Sequence, residues 1–114
     1  MIKLTFVFRR PKHIADFEEH WANEFVPLVE QLPGLCRVSV AVVIGEPSGP
    51  SNFYKLHELY FSDRAALDAA LASAQGVQAE QLLKTFAADI TTLLFSEHFE
   101  EVVRAGTTVQ RSGT

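Results

Sequence analysis

IADFEEHWANEFVPLVEQLPGL, residues 14–35, is the stretch that decides the fold. At about 100° of rotation per residue, Ile14, Phe17, Trp21, Phe25, Leu28 and Leu32 share one narrow stripe of a helix. Glu19, Asn23, Glu30 and Gln31 point elsewhere. So broad an aromatic stripe needs a broad apolar surface to lie on, which a sheet supplies. Pro27 lacks the N–H that would bond to the carbonyl of Asn23, which predicts a kink or a restart there. Pro33-Gly34 ends the segment. Core packing alone accounts for the stripe; the sharper expectation is that its middle also roofs a ligand pocket.

Outward from this helix, the flanking segments read as strands. Ile2, Leu4, Phe6 and Phe8 alternate with Lys3, Thr5, Val7 and Arg9, which is strand period in strand composition. Leu35 to Gly45 is a second, valine-rich strand with Val38, Val40, Val42 and Ile44 on one face, and both of its faces are expected to be buried. Glu46 to Asn52, EPSGPSN, carries two prolines, one glycine and two serines, a strong loop signal. Phe53 to Phe61 makes a third strand. Asp63, with Ser62 as competitor, is the expected N-cap of the next helix. Gly76 is expected to interrupt the helical stretch, with a second short helix from 77 to 89. Ile90 to Phe99 is the fourth strand. After Val103 the pattern is lost, and residues 100–114 read as a loose or partner-dependent tail.

Strand, helix, strand, loop, strand, helical stretch, strand is an α+β, ferredoxin-like split βαβ order. Right-handed crossovers place the helices on one face of a four-stranded antiparallel sheet. Val7, Ala41, Val43 and one side of the third and fourth strands would leave the opposite face too apolar for water. The expected partner on that open face is a second copy of the chain.

Composition narrows the function classes. The 114 residues, 47% hydrophobic and 21% charged, describe one globular domain. A net charge of −4 argues against a nucleic-acid partner. The basic run Arg9-Arg10-Pro11-Lys12-His13 is short and reads as a solvated turn. Cys36 is alone, which fits a reducing, cytoplasmic setting and a small buried hydrophobe. No apolar run approaches the roughly 18 residues of a membrane span, so no membrane partner is expected. His13, His20, His57 and His98 are scattered, with no metal-ligand spacing. There is no nucleophile elbow, phosphate loop or dinucleotide fingerprint, so no metal and no cofactor is expected.

Three pieces carry a family resemblance over residues 1–99: MIKLTFVFRRP, FEEHWANEFVPL with its PGL ending, and HELYFSD. The most specific is His20-Trp21 followed by Val26-Pro27-Leu28. The chain resembles the EthD-like family of the dimeric α+β barrel superfamily. The resemblance implies homodimers whose sheets close into a barrel, with a ligand cavity between helices and sheet in each protomer. The superfamily includes cofactor-independent monooxygenases, cyclases, lactone isomerases, dehydratases and haem-handling proteins. Family members commonly carry His-Trp-x-x-x-His-x-Pro-Leu here; this chain has Phe25 at the second histidine, which puts chemistry dependent on that imidazole in doubt.

The expected site follows from polar groups on strands that otherwise bury themselves. Glu58, mid-strand between Tyr54 and Tyr60, is the candidate acid or base with a raised pKa; its bland alternative is an ion pair with Lys3, Arg37 or Lys55. Trp21 and Phe25 are the expected apolar walls, with Tyr54 and Tyr60 on the floor. His20, off the stripe, pairs with Asp16 or Glu24 at helical spacing and stands at the edge of the proposed ligand site. His57 reads as a dimer-interface residue on the face opposite Glu58. Thr5, Ser39 and Thr92 are further hydroxyls a pocket can use. The functional expectation is a small-molecule-handling protein, either a cofactor-independent enzyme on a hydrophobic or aromatic metabolite or a non-catalytic binding protein.

Overall fold

The structure, a computed structural model, describes residues 1–105 and 109–110. Strands β1 (Ile2–Arg9), β2 (Arg37–Val42), β3 (Phe53–Phe61) and β4 (Thr91–Glu97) form one sheet in the order β2-β3-β1-β4. Every neighbouring pair is antiparallel. The helices are α1 (Ile14–His20), α2 (Val26–Val29), α3 (Arg64–Ala72) and α4 (Ala74–Phe86). Leu4, Phe8, Leu59 and Phe61 of the sheet and Phe17, Phe25, Val29, Leu67 and Leu83 of the helices form a single core. This is the ferredoxin-like α+β fold that the strand and helix periods call for.

Pro27 is accommodated by a change of helix type. Between α1 and α2, residues Trp21–Phe25 form a π-helical turn, in which the Val26 N–H reaches back five residues to the Trp21 carbonyl. The wider turn places the proline just after itself, as the second residue of α2. Downstream of it Val29 is fully buried, whereas Leu28, the expected stripe member, is only half-buried. Gly34 closes the segment with a φ of 77°, a left-handed turn open to glycine.

Asp63 caps α3 by accepting from the Ala66 N–H at 2.8 Å. The break between α3 and α4 falls at Ser73, not Gly76: Ser73 is extended and its hydroxyl accepts from the Gly76 N–H at 3.1 Å. Gly76 lies inside the first turn of α4, where a Cβ would stand 2.3 Å from the Ala70 carbonyl oxygen. Hydroxyl capping stops the helix; the glycine lets the two helices turn sharply against each other.

β2 is an edge strand with most of its residues exposed, because the helical layer does not extend over it. The expectation of two buried faces is therefore corrected. Cys36 is exposed rather than buried, at the turn leading into β2. Beyond β4, Arg104–Ala105 pairs with Val109–Gln110 as strands β5 and β6. Residues 106–108 and 111–114 of the tail lie outside the described residues. Among the described residues, no helix is long and apolar enough to cross a membrane.

The sheet's open face also departs from expectation. Arg37, Ser39, Glu58, Tyr60, Lys3 and Thr5 occupy adjacent register positions on it. They tie one another into a polar network, so the middle of this face is charged and hydrogen-bonded rather than apolar.

Candidate functional site

Strand parity decides which side chains meet the helices. On β3, His57, Leu59 and Phe61 are in phase with Leu4, Phe6 and Phe8 of β1 and face the helical layer. A register shift at Phe8/Arg9 leaves Tyr54 as an extra residue opposite them. Tyr54 and Lys55 consequently both reach Glu18 of α1: the Tyr54 hydroxyl donates to its carboxylate at 2.8 Å and the Lys55 ammonium at 2.6 Å. The pKa of the Tyr54 hydroxyl, partly buried and held by that carboxylate, is pushed up to about 12.

Next along the strand, the wholly buried His57 ring is surrounded by Phe6, Trp21 and Phe25, with ring centres 5.9, 5.3 and 5.9 Å away. Trp21 Nε1 donates to His57 Nδ1 at 3.2 Å. An indole nitrogen only donates, so Nδ1 is the acceptor and the imidazole proton sits on Nε2. Burial, aided by the Lys55 charge, lowers the His57 pKa to about 4 and keeps the ring neutral. Among the described residues Nε2 has no hydrogen-bond partner.

The same layer contains a cavity of about 700 Å³ between the helices and β1 and β4. Leu4, Phe6, Val29, Leu83 and Leu93 contribute its hydrocarbon walls, and Glu80, Lys84 and Thr91 add polar groups. Glu80 and Lys84 pair with each other at 3.3 Å on the surface of α4. Thr91 donates its hydroxyl to the Ala87 carbonyl at 2.6 Å. The lining of the cavity is therefore mainly apolar.

The expected constellation divides between the two faces. Trp21, Phe25 and Tyr54 lie on the helix side, but Glu58 and Tyr60 lie on the open face and do not floor a pocket beneath the helix. Phe25 is wholly buried in the core and packs edge-on against Phe6 at 5.2 Å. His20 is half-exposed, with Nδ1 2.7 Å from Glu24, one of the two partners its spacing offered. His57, expected at a dimer interface, is instead beneath the helix.

Glu58 pairs with Lys3 at 2.8 Å and accepts from Ser39 at 3.0 Å and Thr5 at 3.4 Å. Burial alone pushes its carboxyl up, but Lys3 and the two hydroxyls together outweigh it, so the pKa falls below the ordinary value. The expected raised pKa is thus reversed: Glu58 is an ionised carboxylate in the bland, ion-paired arrangement. Thr92, the third hydroxyl, accepts from Arg9 at 2.9 Å. A second groove of about 540 Å³ runs over this face, bordered by Arg37, Ser39, Glu58, Tyr60 and His98.

Lys55, Glu18 and the inward His57 were missed. The signal for His57 was its two-residue spacing from Leu59 and Phe61. It was masked because Leu56 and Tyr60 make the other face look equally suited to burial. Among the described residues no three metal-ligating side chains cluster.

No family model matches the chain. A curated protein of Rhodococcus erythropolis, described as an uncharacterized 11.0 kDa protein in the thcB-thcC intergenic region, is 34% identical over 103 residues, 90% of this chain and 98% of the relative. The cofactor-independent oxygenase SnoaB of Streptomyces nogalater, 15% identical with a TM-score of 0.64, covers 88% of this chain and 94% of its own, and shows likeness of fold alone. So does a dimeric ferredoxin-like protein of unknown function from Jannaschia sp. CCS1, 20% identical with a TM-score of 0.62 over 86% of this chain and 100% of that one. The crystal structure of an ethyl tert-butyl ether D (EthD) family protein from Bacillus halodurans C-125 superposes with a TM-score of 0.85 and 31% identity, covering 87% of this chain and 99% of that one. With that identity over nearly the whole length of a relative, on the same fold, the chain belongs to the EthD family.

Proposed function

We propose that this protein binds a small, largely apolar molecule, such as a hydrophobic or aromatic metabolite, in the cavity between its helices and β1 and β4. The observation that carries this is the cavity itself: about 700 Å³ with walls of leucine, valine and phenylalanine. Sites for small molecules have volumes of roughly 300–1,000 Å³ and mostly apolar linings. The test is a thermal-shift screen with aromatic acids and polyketide-like phenols, followed by titration of the best stabiliser. Saturable binding that Ala79→Trp abolishes while the fold persists supports the reading. Binding unaffected by that bulky substitution places the ligand elsewhere and overturns it.

A second reading is a cofactor-independent enzyme of monooxygenase, cyclase, isomerase or dehydratase type. It is favoured by the polar groove around Glu58, and SnoaB, described as a cofactor-independent oxygenase, shares the fold. There Glu58, already ionised, would serve as a base or an electrostatic stabiliser. Glu58→Gln then abolishes turnover and spares affinity. Binding without turnover in the parent protein leaves the binding function alone.

The working form in this proposal is a homodimer joined through the open sheet face, in a reducing, cytoplasmic setting. The molecule is 20 Å through its shortest dimension, the thickness of one sheet and one helical layer. Leu94, Val102 and Val103 are exposed, and a Jannaschia protein of this fold is described as dimeric. Residues 1–99 form the folding unit in this reading, and residues 100–114 reinforce the dimer. Light scattering at micromolar concentration that returned a mass near 12.7 kDa would overturn the dimer. Truncation after Phe99 tests the tail, whose loss should promote dissociation on dilution.

A further inference from the structure

A single row of side chains crosses the helix-facing side of the sheet: Leu93 of β4, Phe6 of β1 and His57 of β3 are register partners. Leu93 and Phe6 line the large cavity. Neighbouring strands lie about 4.8 Å apart, so His57 stands one strand spacing beyond the cavity's floor. Phe6 belongs to both, lining the cavity and packing against the imidazole at 5.9 Å between ring centres.

The histidine is an expensive choice for this position. Leucine or phenylalanine would fill the same space with no polar atom, whereas the imidazole brings an N–H that nothing among the described residues accepts. Its orientation is nonetheless fixed. Trp21 occupies Nδ1 at 3.2 Å, which leaves Nε2 as the donor. The other groups facing the ring from the elements around it are Phe6, Phe25, the register partner Val40 of β2 and the neighbouring Lys55, and none offers an acceptor; Lys55 is turned to Glu18.

We propose that His57 is the polar recognition point of the cavity's ligand, its Nε2–H donating to a carbonyl or phenolic oxygen on an otherwise apolar, ring-sized molecule. This rests on the cavity's being the binding site and adds to it the class of ligand. The apolar body lies along Leu4, Val29 and Leu83, and its oxygen reaches Nε2 when the Phe6 ring turns aside. The imidazole neither accepts nor gives up a proton in this role; it discriminates between molecules that carry the oxygen and those that do not.

Acetylnaphthalene and ethylnaphthalene, matched in shape and differing in the carbonyl, are suitable probes. Each is titrated into the whole protein while nitrogen–proton correlation spectra follow the His57 imidazole. The ketone is expected to shift the Nε2 resonance and to bind at least about tenfold more tightly than the hydrocarbon, since a donor built for an oxygen is left unpaired by the analogue lacking it. In His57→Phe that preference disappears while ethylnaphthalene still binds. If this variant does not fold, the resonance shift in the parent protein decides alone. Equal binding of both probes with Nε2 unmoved overturns the role of His57 and leaves the cavity reading standing. Failure of both probes to bind at their solubility limits overturns both.

Discussion

The Lys55 ammonium stands 3.4 Å from the centre of the Trp21 ring, a buried cation seated on an indole face. Its charge is compensated by Glu18 at 2.6 Å, which spans the gap from α1 to β3. A cation on an aromatic face gains about 0.5–2 kcal/mol, more when removed from water. Glu18→Gln removes the counter-charge and should destabilise the fold by about 1–3 kcal/mol in urea unfolding, because the ammonium stays buried. Lys55→Met should raise the His57 pKa, since the Lys55 charge is one of the two causes that depress it.

His57 makes stability depend on pH in a definite window. The unfolded imidazole binds its proton near 6.5 and the folded one near 4. Between these values the unfolded state holds more protons, so stability falls as the pH drops from about 6.5 to about 4. The full shift corresponds to about 3 kcal/mol. Denaturant unfolding across this range should show the loss in the parent protein, and His57→Phe should flatten it.

Glu58 acts at the lower end of the pH scale. Its folded pKa is below the ordinary 4.5, so its contribution is present above that value and is lost as the pH falls through the folded pKa. Glu58→Gln should remove this acid-side loss and leave the His57 window unchanged. The same variant leaves the Lys3 ammonium without its carboxylate, and a drop of about 1 kcal/mol at neutral pH is expected.

Gly76→Ala tests the α3–α4 corner. The added methyl would stand 2.3 Å from the Ala70 carbonyl oxygen and 2.7 Å from that of Leu71, both backbone atoms. A shift of the helices by about an ångström is the only relief, and overpacking of this kind costs about 1–3 kcal/mol. Thermal melting should report it. An unchanged melting temperature would mean that the corner is less tightly closed than described.

Phe25→Ala removes a wholly buried ring packed on Phe6, His57 and Phe86. The expected outcome is destabilisation by about 3–5 kcal/mol, not a selective loss of ligand affinity. Chemical denaturation distinguishes the two.

The fold was legible because its signals were local and redundant. β1 and β3 have the bounds that their composition and alternation predict, and Asp63 caps the helix it precedes. The candidate site was less legible because it depends on parity in β3, where each face holds aromatic or aliphatic residues. One extra residue at Tyr54 turns it and Lys55 to the same side. Two-residue spacing, which would put Tyr54 on the face of Glu58, then no longer reports where Tyr54 lies. Nor can a single strand's sequence show that Lys3, Thr5 and Ser39, from two other strands, would converge on Glu58 and settle its charge.

The π turn at Trp21–Phe25 makes the first helix two short screws joined by a slip. Phe17 and Trp21 belong to one thread, and Phe25, Val29 and Leu32 to the other. The wider turn absorbs one surplus residue, so both threads face the same sheet, with Val29 in the place that Leu28 would take in a regular helix. Deleting one residue there should let the turn close to a regular α-helix with both threads still on the core, whereas inserting one more would turn one screw by about 100° relative to the other and carry half of the aromatic stripe off the core. The helix therefore tolerates the loss of a residue in this turn far better than the gain of one.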